Sequence, residues 1–169
     1  LLVINIYEKI CIDSENVVFI YNVKDEVAID GFSGSENTFY ASEELYNDDE
    51  KLLFHVKHNW FYRSGKEVPS KWINIDNQDI LYFNEVSILL LNDNTLKKNE
   101  SSFPLTDYVL LSDCSFIDLK IVDHLKQADS ELIFGPGIPY GTRNFLLNQF
   151  ENREVHDLSK SGAKEIVLD

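Results

Sequence analysis

The sequence predicts an α/β fold: mixed β-sheet layers flanked by helices. Two patterns lead there. Short β-branched and aromatic runs punctuated by turn residues fill much of the first half, and the last third alternates apolar strand, amphipathic helix and apolar strand. That alternation implies right-handed crossovers onto a sheet that is parallel at least in part. Composition agrees, because 44% hydrophobic and 26% charged residues over 169 positions suit one domain with an unstapled core.

The elements follow in order. Residues 1–14 fit a helix face or a strand and are taken as a connector or edge element, leaving 15–169 as a single domain. Val17-Val18-Phe19-Ile20-Tyr21 is a strand, Lys24-Asp25-Glu26 a turn, and Val27-Ala28-Ile29 the returning strand. Residues 31–37 form a Gly/Ser loop before a strand at Thr38-Phe39-Tyr40-Ala41. Asn47-Asp48-Asp49 supplies a helix N-cap. Leu52, Leu53, Val56 and Trp60 then recur at helical spacing until Gly65, which predicts one helix over 45–65. Short strands follow around 72–75 and 80–83, and the unbroken apolar run 86–91 suits a strand covered on both faces. A polar loop spans 92–102. Beyond it come a strand at 108–111, a helix at 117–127 with Ile121, Val122 and Leu125 inward, and a strand at 132–134. A Gly135-Pro136-Gly137 turn, a helix at 144–150 and a last strand at 165–168 complete the chain.

Charge narrows the function classes. Fifteen basic residues against 29 acidic ones give a net charge of −14. Polyanion binding depends on Lys and Arg neutralising phosphates, so this balance disfavours direct DNA binding, and Lys97-Lys98 is too short a basic run to reverse it. No stretch approaches the ~20 apolar residues that span a bilayer. The absence of Met, including an initiating one, suggests an excised piece of a longer chain. Cys11 and Cys114 lack CxxC spacing and are taken as two buried small hydrophobes.

Motifs for chemistry are sparse. His55 and His58 stand i, i+3 on the expected helix, but the HExxH pattern is absent and the pair is taken as partly exposed side chains. There is neither a GxSxG elbow nor a GxxxxGK[ST] loop. Gly135 and Gly137 form a candidate ligand turn at the carboxyl end of a strand, where open α/β sheets bind ligands. Asp93, Asp107 and Asp113 lie near strand ends, where carboxylates can hold Mg²⁺ or Mn²⁺ but where Asp is also common in turns. Trp60 and Tyr62, on either side of Phe61, are a candidate partner surface.

From Val18 onward the order of segments resembles the metallo-β-lactamase-like domain at the C-terminus of ComEC-type DNA-uptake proteins. Tyr21-Asn22-Val23-Lys24-Asp25-Glu26-Val27-Ala28-Ile29 stands where that family has an Asp-Val-Gly-Gln-Gly-Asp turn and returning strand. Ile88-Leu89-Leu90-Leu91-Asn92-Asp93 is similar to its apolar strand ending in Gly-Asp. Residues 106–115 match its Asp-Val-Leu…His-His-Gly-Ser segment, and Pro139-Tyr140-Gly141-Thr142 falls at its Tyr-Gly-His. Lys160-Ser161-Gly162-Ala163 resembles its closing Gly-Ala. The departures matter more. HxHxDH is absent, Asp113 and Cys114 occupy the places of paired His, and Thr142 replaces another, so only Asp93 matches a family ligand.

The resemblance therefore implies a reduced metallo-β-lactamase-like fold with no catalytic residues, no metal and no cofactor. It implies a non-catalytic accessory domain of a membrane DNA-uptake channel, with a structural or protein-binding role. The partner would be the membrane channel portion, and the domain would be tethered to the bacterial inner membrane on its extracytoplasmic side. Two rival readings stand beside it: a metal-dependent nuclease or hydrolase rebuilt around Asp93, Asp113 and His124, and a stand-alone protein-interaction module.

Overall fold

The computed structural model describes residues 15–76, 78–98 and 103–168. The connector expected at 1–14 lies outside them, as does Cys11. In chain order the strands are β1 (Asn16–Ile20), β2 (Ala28–Ser33), β3 (Glu36–Ala41), β4 (Lys71–Asn74), β5 (Ile80–Phe83), β6 (Val86–Leu91), β7 (Tyr108–Leu111), β8 (Glu131–Phe134), β9 (Val155–Asp157) and β10 (Lys164–Leu168). The helices are α1 (Glu43–Tyr46), α2 (Asp49–His55), α3 (Lys57–Ser64), α4 (Asp93–Lys98), α5 (Leu119–Gln127), α6 (Tyr140–Gln149) and α7 (Leu158–Ser161). The fold is α/β with two mixed sheets, as the sequence predicts. The chain divides into two compact units, one holding residues 15–23, 27–76 and 163–168, the other 24–26 and 78–162.

The first unit carries the sheet β10-β1-β2-β3-β4, antiparallel except for the parallel β3–β4 pair. Strand β2 runs through Asp30 and Gly31 to Ser33, so the loop expected at 31–37 shrinks to Gly34-Ser35. Gly34 takes φ 59°, the positive value a glycine supplies in a two-residue hairpin turn. Val17, Ala28, Phe32 and Phe39 form one core with Leu45, Leu52, Val56 and Trp60 from the helices.

The helix expected over 45–65 is three short ones. Ser42 caps α1 by accepting from Leu45 N–H, and Asp48, accepting from Lys51 N–H, breaks the chain between α1 and α2. Val56 separates α2 from α3 with φ −127° and ψ −50°, and Gly65 ends α3 in the left-handed conformation. Leu52, Val56 and Trp60 still face the sheet, whereas Leu53, adjacent to Leu52, points outward and is exposed.

The second unit carries the sheet β5-β6-β7-β8-β9, a hairpin leading into four parallel strands. Consecutive strand order with right-handed crossovers puts α4, α5 and α6 on one face. Their Leu96, Ile121, Val122, Leu125 and Leu146 pack with Leu89, Leu91, Val109, Leu111, Leu132 and Phe134. Leu90, Leu110 and Ile133 of the opposite face are buried too, which is why 86–91 reads as continuously apolar.

Several boundaries depart from expectation. The polar loop at 92–102 contains α4, started by Asn92, whose side chain accepts from Asn94 and Thr95 N–H. Helix α5 begins at Leu119, capped by Asp118, and α6 begins four residues early, at Tyr140 after Pro139. The strand that follows α6 in the parallel sheet is β9, while β10 pairs antiparallel with β1 in the other sheet.

Candidate functional site

Asp93, Asp113, Cys114, Gly135 and Gly137 lie at the carboxyl ends of the parallel strands, whereas Asp107 precedes β7 and accepts from Ser87 N–H at 2.7 Å. Asp93 follows β6, residues 112–115 follow β7, and the turn at 135–137 follows β8. One Asp93 carboxylate oxygen accepts from Ser115 N–H at 2.9 Å and the other from the Ser115 hydroxyl. Asp93 N–H donates to the Asp113 carbonyl at 2.9 Å, and the Thr142 hydroxyl donates to the Ser115 carbonyl at 2.7 Å. The Cys114 thiol is buried and donates to the Leu91 carbonyl at 3.2 Å. Burial, reinforced by the negative charges of Asp93 and Asp113, pushes that thiol up to about 12.

The arrangement is an internal splice. Asp93, Asp113, Cys114 and Thr142 come together, yet the Asp93 carboxylate, the thiol and the threonine hydroxyl each bond to the chain itself. His124 does not join them: its Nε2 lies 3.2 Å from the Phe103 carbonyl and its ring sits beside Phe103. Among the described residues no three His, Cys, Asp or Glu side chains form a group able to hold a metal ion, so Asp93, Asp113 and His124 do not make one. Asp93 also borders an open depression of about 500 Å³ with Lys97, Ser115, Phe116 and Lys120.

Gly135 serves close packing, whereas a Cβ on Gly137 would come no nearer than 3.4 Å to the Ser112 carbonyl oxygen, an ordinary contact. A Cβ on Gly135 would stand 3.0 Å from the Leu111 carbonyl oxygen and the Ser112 Cα, so the space a ligand would need is filled by β7's own continuation. Arg143, in the first turn of α6, fixes this turn. Its guanidinium donates to the Gly135 carbonyl at 2.8 Å, to Ser159 Oγ at 2.8 Å and to the Asp157 carboxylate.

Trp60 is withdrawn from solvent, packed edge-to-face on Phe39 with centroids 5.1 Å apart, and cannot belong to a surface. It shares the inward face with Leu52 and Val56, as their common helical spacing in the sequence implies. Tyr62 and Phe61 are exposed.

A second cluster escaped sequence reading altogether. Asp30 in β2 shares the helix-facing side with Ala28 and Phe32 and is 0% exposed. Its Oδ2 accepts from the Tyr21 hydroxyl at 2.8 Å and from the Trp60 indole N–H at 2.6 Å, and its Oδ1 from the Asn37 amide at 2.9 Å. Asn59 in turn donates to the Tyr21 hydroxyl at 2.7 Å. Burial pushes Asp30 up to about 7 against the three hydrogen bonds, which hold it down. Tyr21 and Asn59 open onto a depression of about 390 Å³, also lined by Phe19, Phe54, His55 and His58. The signal was a lone aspartate at an inward position of an alternating strand, hidden by reading Gly31 as the start of a loop.

Two five-stranded mixed sheets, the second with helices between its parallel strands and a loop cluster at their carboxyl ends, define an α/β domain with its polar residues at the usual ligand edge. Residues 18–168 match the ComEC C-terminal domain family, and the chain belongs to that family. No curated protein and no solved structure matches it. Among the described residues no helix is long and apolar enough to cross a membrane.

Proposed function

We propose that this chain is a non-catalytic accessory domain of a membrane channel for DNA uptake, reduced from a metallo-β-lactamase-like ancestor and acting through structure or protein contacts. Family membership supports the DNA-uptake setting and an association with a membrane; the channel partner and an inner-membrane tether on the extracytoplasmic side are part of the proposal. The observation that carries the non-catalytic part is the splice at Asp93. Three of the four side chains standing at ligand positions are spent on the chain's own bonds: Asp93 to Ser115, Cys114 to the Leu91 carbonyl and Thr142 to the Ser115 carbonyl. A zinc or manganese site needs deprotonated, outward-directed donors, and a thiol held near 12 in the core is neither. The net charge of −14 argues against the domain gripping DNA by itself.

The test incubates the chain with single- and double-stranded DNA in the presence of Mn²⁺, Mg²⁺ or Zn²⁺, and measures both cleavage and bound metal. No cutting and no tightly bound metal is the expected result. Metal-dependent cutting that disappears in Asp93→Ala would overturn the proposal and make the chain a nuclease.

A further inference from the structure

The Asp30 cluster joins the sheet to α3 twice. The first link is direct, through the Trp60 indole, and the second runs through the Tyr21 hydroxyl to Asn59, one residue earlier on the same helix. All three side chains bonded to Asp30 are neutral donors, so the buried carboxylate holds a charge that hydrogen bonds, but no cation among them, offset. When protonated, the carboxyl needs an acceptor. The indole N–H can only donate, whereas a hydroxyl can reverse. Protonation therefore turns the Asp30–Tyr21–Asn59 chain around, with Tyr21 accepting from Asp30 and donating to the Asn59 amide oxygen. It also reduces the Trp60 bond from a charge-assisted to a neutral one.

We propose that this hydrogen-bond chain is a proton-operated latch on α3: the neutral carboxyl seats the helix on the sheet, and ionisation favours its release toward water. Burying an unpaired carboxylate costs several kcal/mol, close to what three hydrogen bonds to a charge return, so the balance is fine. Asp30 lies near 7 for that reason. Other titratable or charged groups near the cluster are Tyr21, which burial and the Asp30 charge push well up so that it keeps its proton, His55 and His58 at the lip, and Arg63. Arg63 is occupied by Glu15 and Glu165 at 3.2 Å and lies over the Phe19 ring.

The direction follows from linkage. A carboxyl raised from 3.8 to about 7 in the seated state keeps its proton there, while in the released state it has lost it. Release should therefore grow by up to about tenfold per pH unit between those values and level off above the upper one. Trp60 reports the charge and Trp72, whose indole bonds the Ala41 carbonyl, is an internal control.

The experiment follows both indole N–H resonances by NMR from pH 5 to 9, together with amide exchange of α3 corrected for its intrinsic pH dependence. The proposal expects the Trp60 signal to titrate near neutrality while Trp72 stays flat, and α3 opening to rise toward pH 7 and then level off. Tyr21→Phe, which deletes one donor and leaves the rest of the ring, should move the Trp60 midpoint upward. Asp30→Asn should abolish both responses; if that variant does not fold, the carboxyl ¹³C shift of Asp30 in the unmodified chain replaces it. A Trp60 signal flat across the range, a midpoint unmoved by Tyr21→Phe, or a titration without any change in α3 opening would overturn the latch.

Discussion

Arg143 and Asp157 are both buried and form an ion pair that ties the first turn of α6 to the end of β9. The same guanidinium holds the Gly135 carbonyl, so one side chain organises two crossover ends of the parallel sheet. Removing one partner of such a pair strands the other charge in the core. Arg143→Ala should therefore cost about 3–5 kcal/mol in urea unfolding. Arg143→Lys should recover little, because a single ammonium cannot reproduce the planar fork that spans Asp157, Ser159 and Gly135. A loss below about 1 kcal/mol for Arg143→Ala would mean that water already screens the pair.

Trp60→Phe deletes one of the three donors to Asp30 while leaving most of the ring against Phe39. Without that donor the anion is less well held, and Asp30 should rise above about 7. The penalty belongs to the ionised form. Its sign follows: destabilisation of about 1–3 kcal/mol at pH 8, and less at pH 5.5, where the carboxyl already carries its proton. Thermal or urea unfolding at the two pH values checks this, and an equal loss at both would show that only packing had changed.

What the sequence made legible was period and order. The runs 17–20, 80–83, 86–91, 108–111 and 132–134 lie on strands, with Tyr21 just beyond the first, because their β-branched and apolar patterns favour an extended chain. Local breaks misled: those at Asp48 and Val56 cut one apparent helix into three, although its apolar face stayed on the sheet. The ligand-like residues at Asp93, Asp113, Cys114 and Thr142 could be placed together by resemblance. Their engagement with Ser115 and Leu91 could not, because a loop's hydrogen bonds depend on non-local distances. Asp30 was invisible for a similar reason, since its three partners come from positions 21, 37 and 60.

Two glycines near the parallel-sheet edge should behave oppositely. A Cβ on Gly135 meets backbone atoms at 3.0 Å, which can yield only if β7 and β8 shift, so Gly135→Ala should cost about 1–3 kcal/mol. Around Gly141, inside α6, nothing lies within 4 Å of the added carbon. Gly141→Ala should stabilise by about 0.4–1 kcal/mol by restricting the unfolded chain. Urea midpoints of the two variants moving in the same direction would contradict the packing described at the Gly135 turn.

Cys114 tests whether the ligand position is truly closed. The thiolate is the species that attacks disulfide reagents and binds metals, and a thiol near 12 is ionised at pH 8 in roughly one molecule in ten thousand. Burial adds a second barrier, because the reagent must wait for the strand ends to open. In a Cys11→Ser background, Ellman's reagent at pH 8 should leave the folded chain unlabelled and titrate one thiol once guanidinium unfolds it. Zinc should release no protons on addition to the folded chain, since no thiolate is available to it there. Rapid labelling of the folded chain would place the sulfur at the surface, and with it the strongest reason for treating this position as structural would be lost.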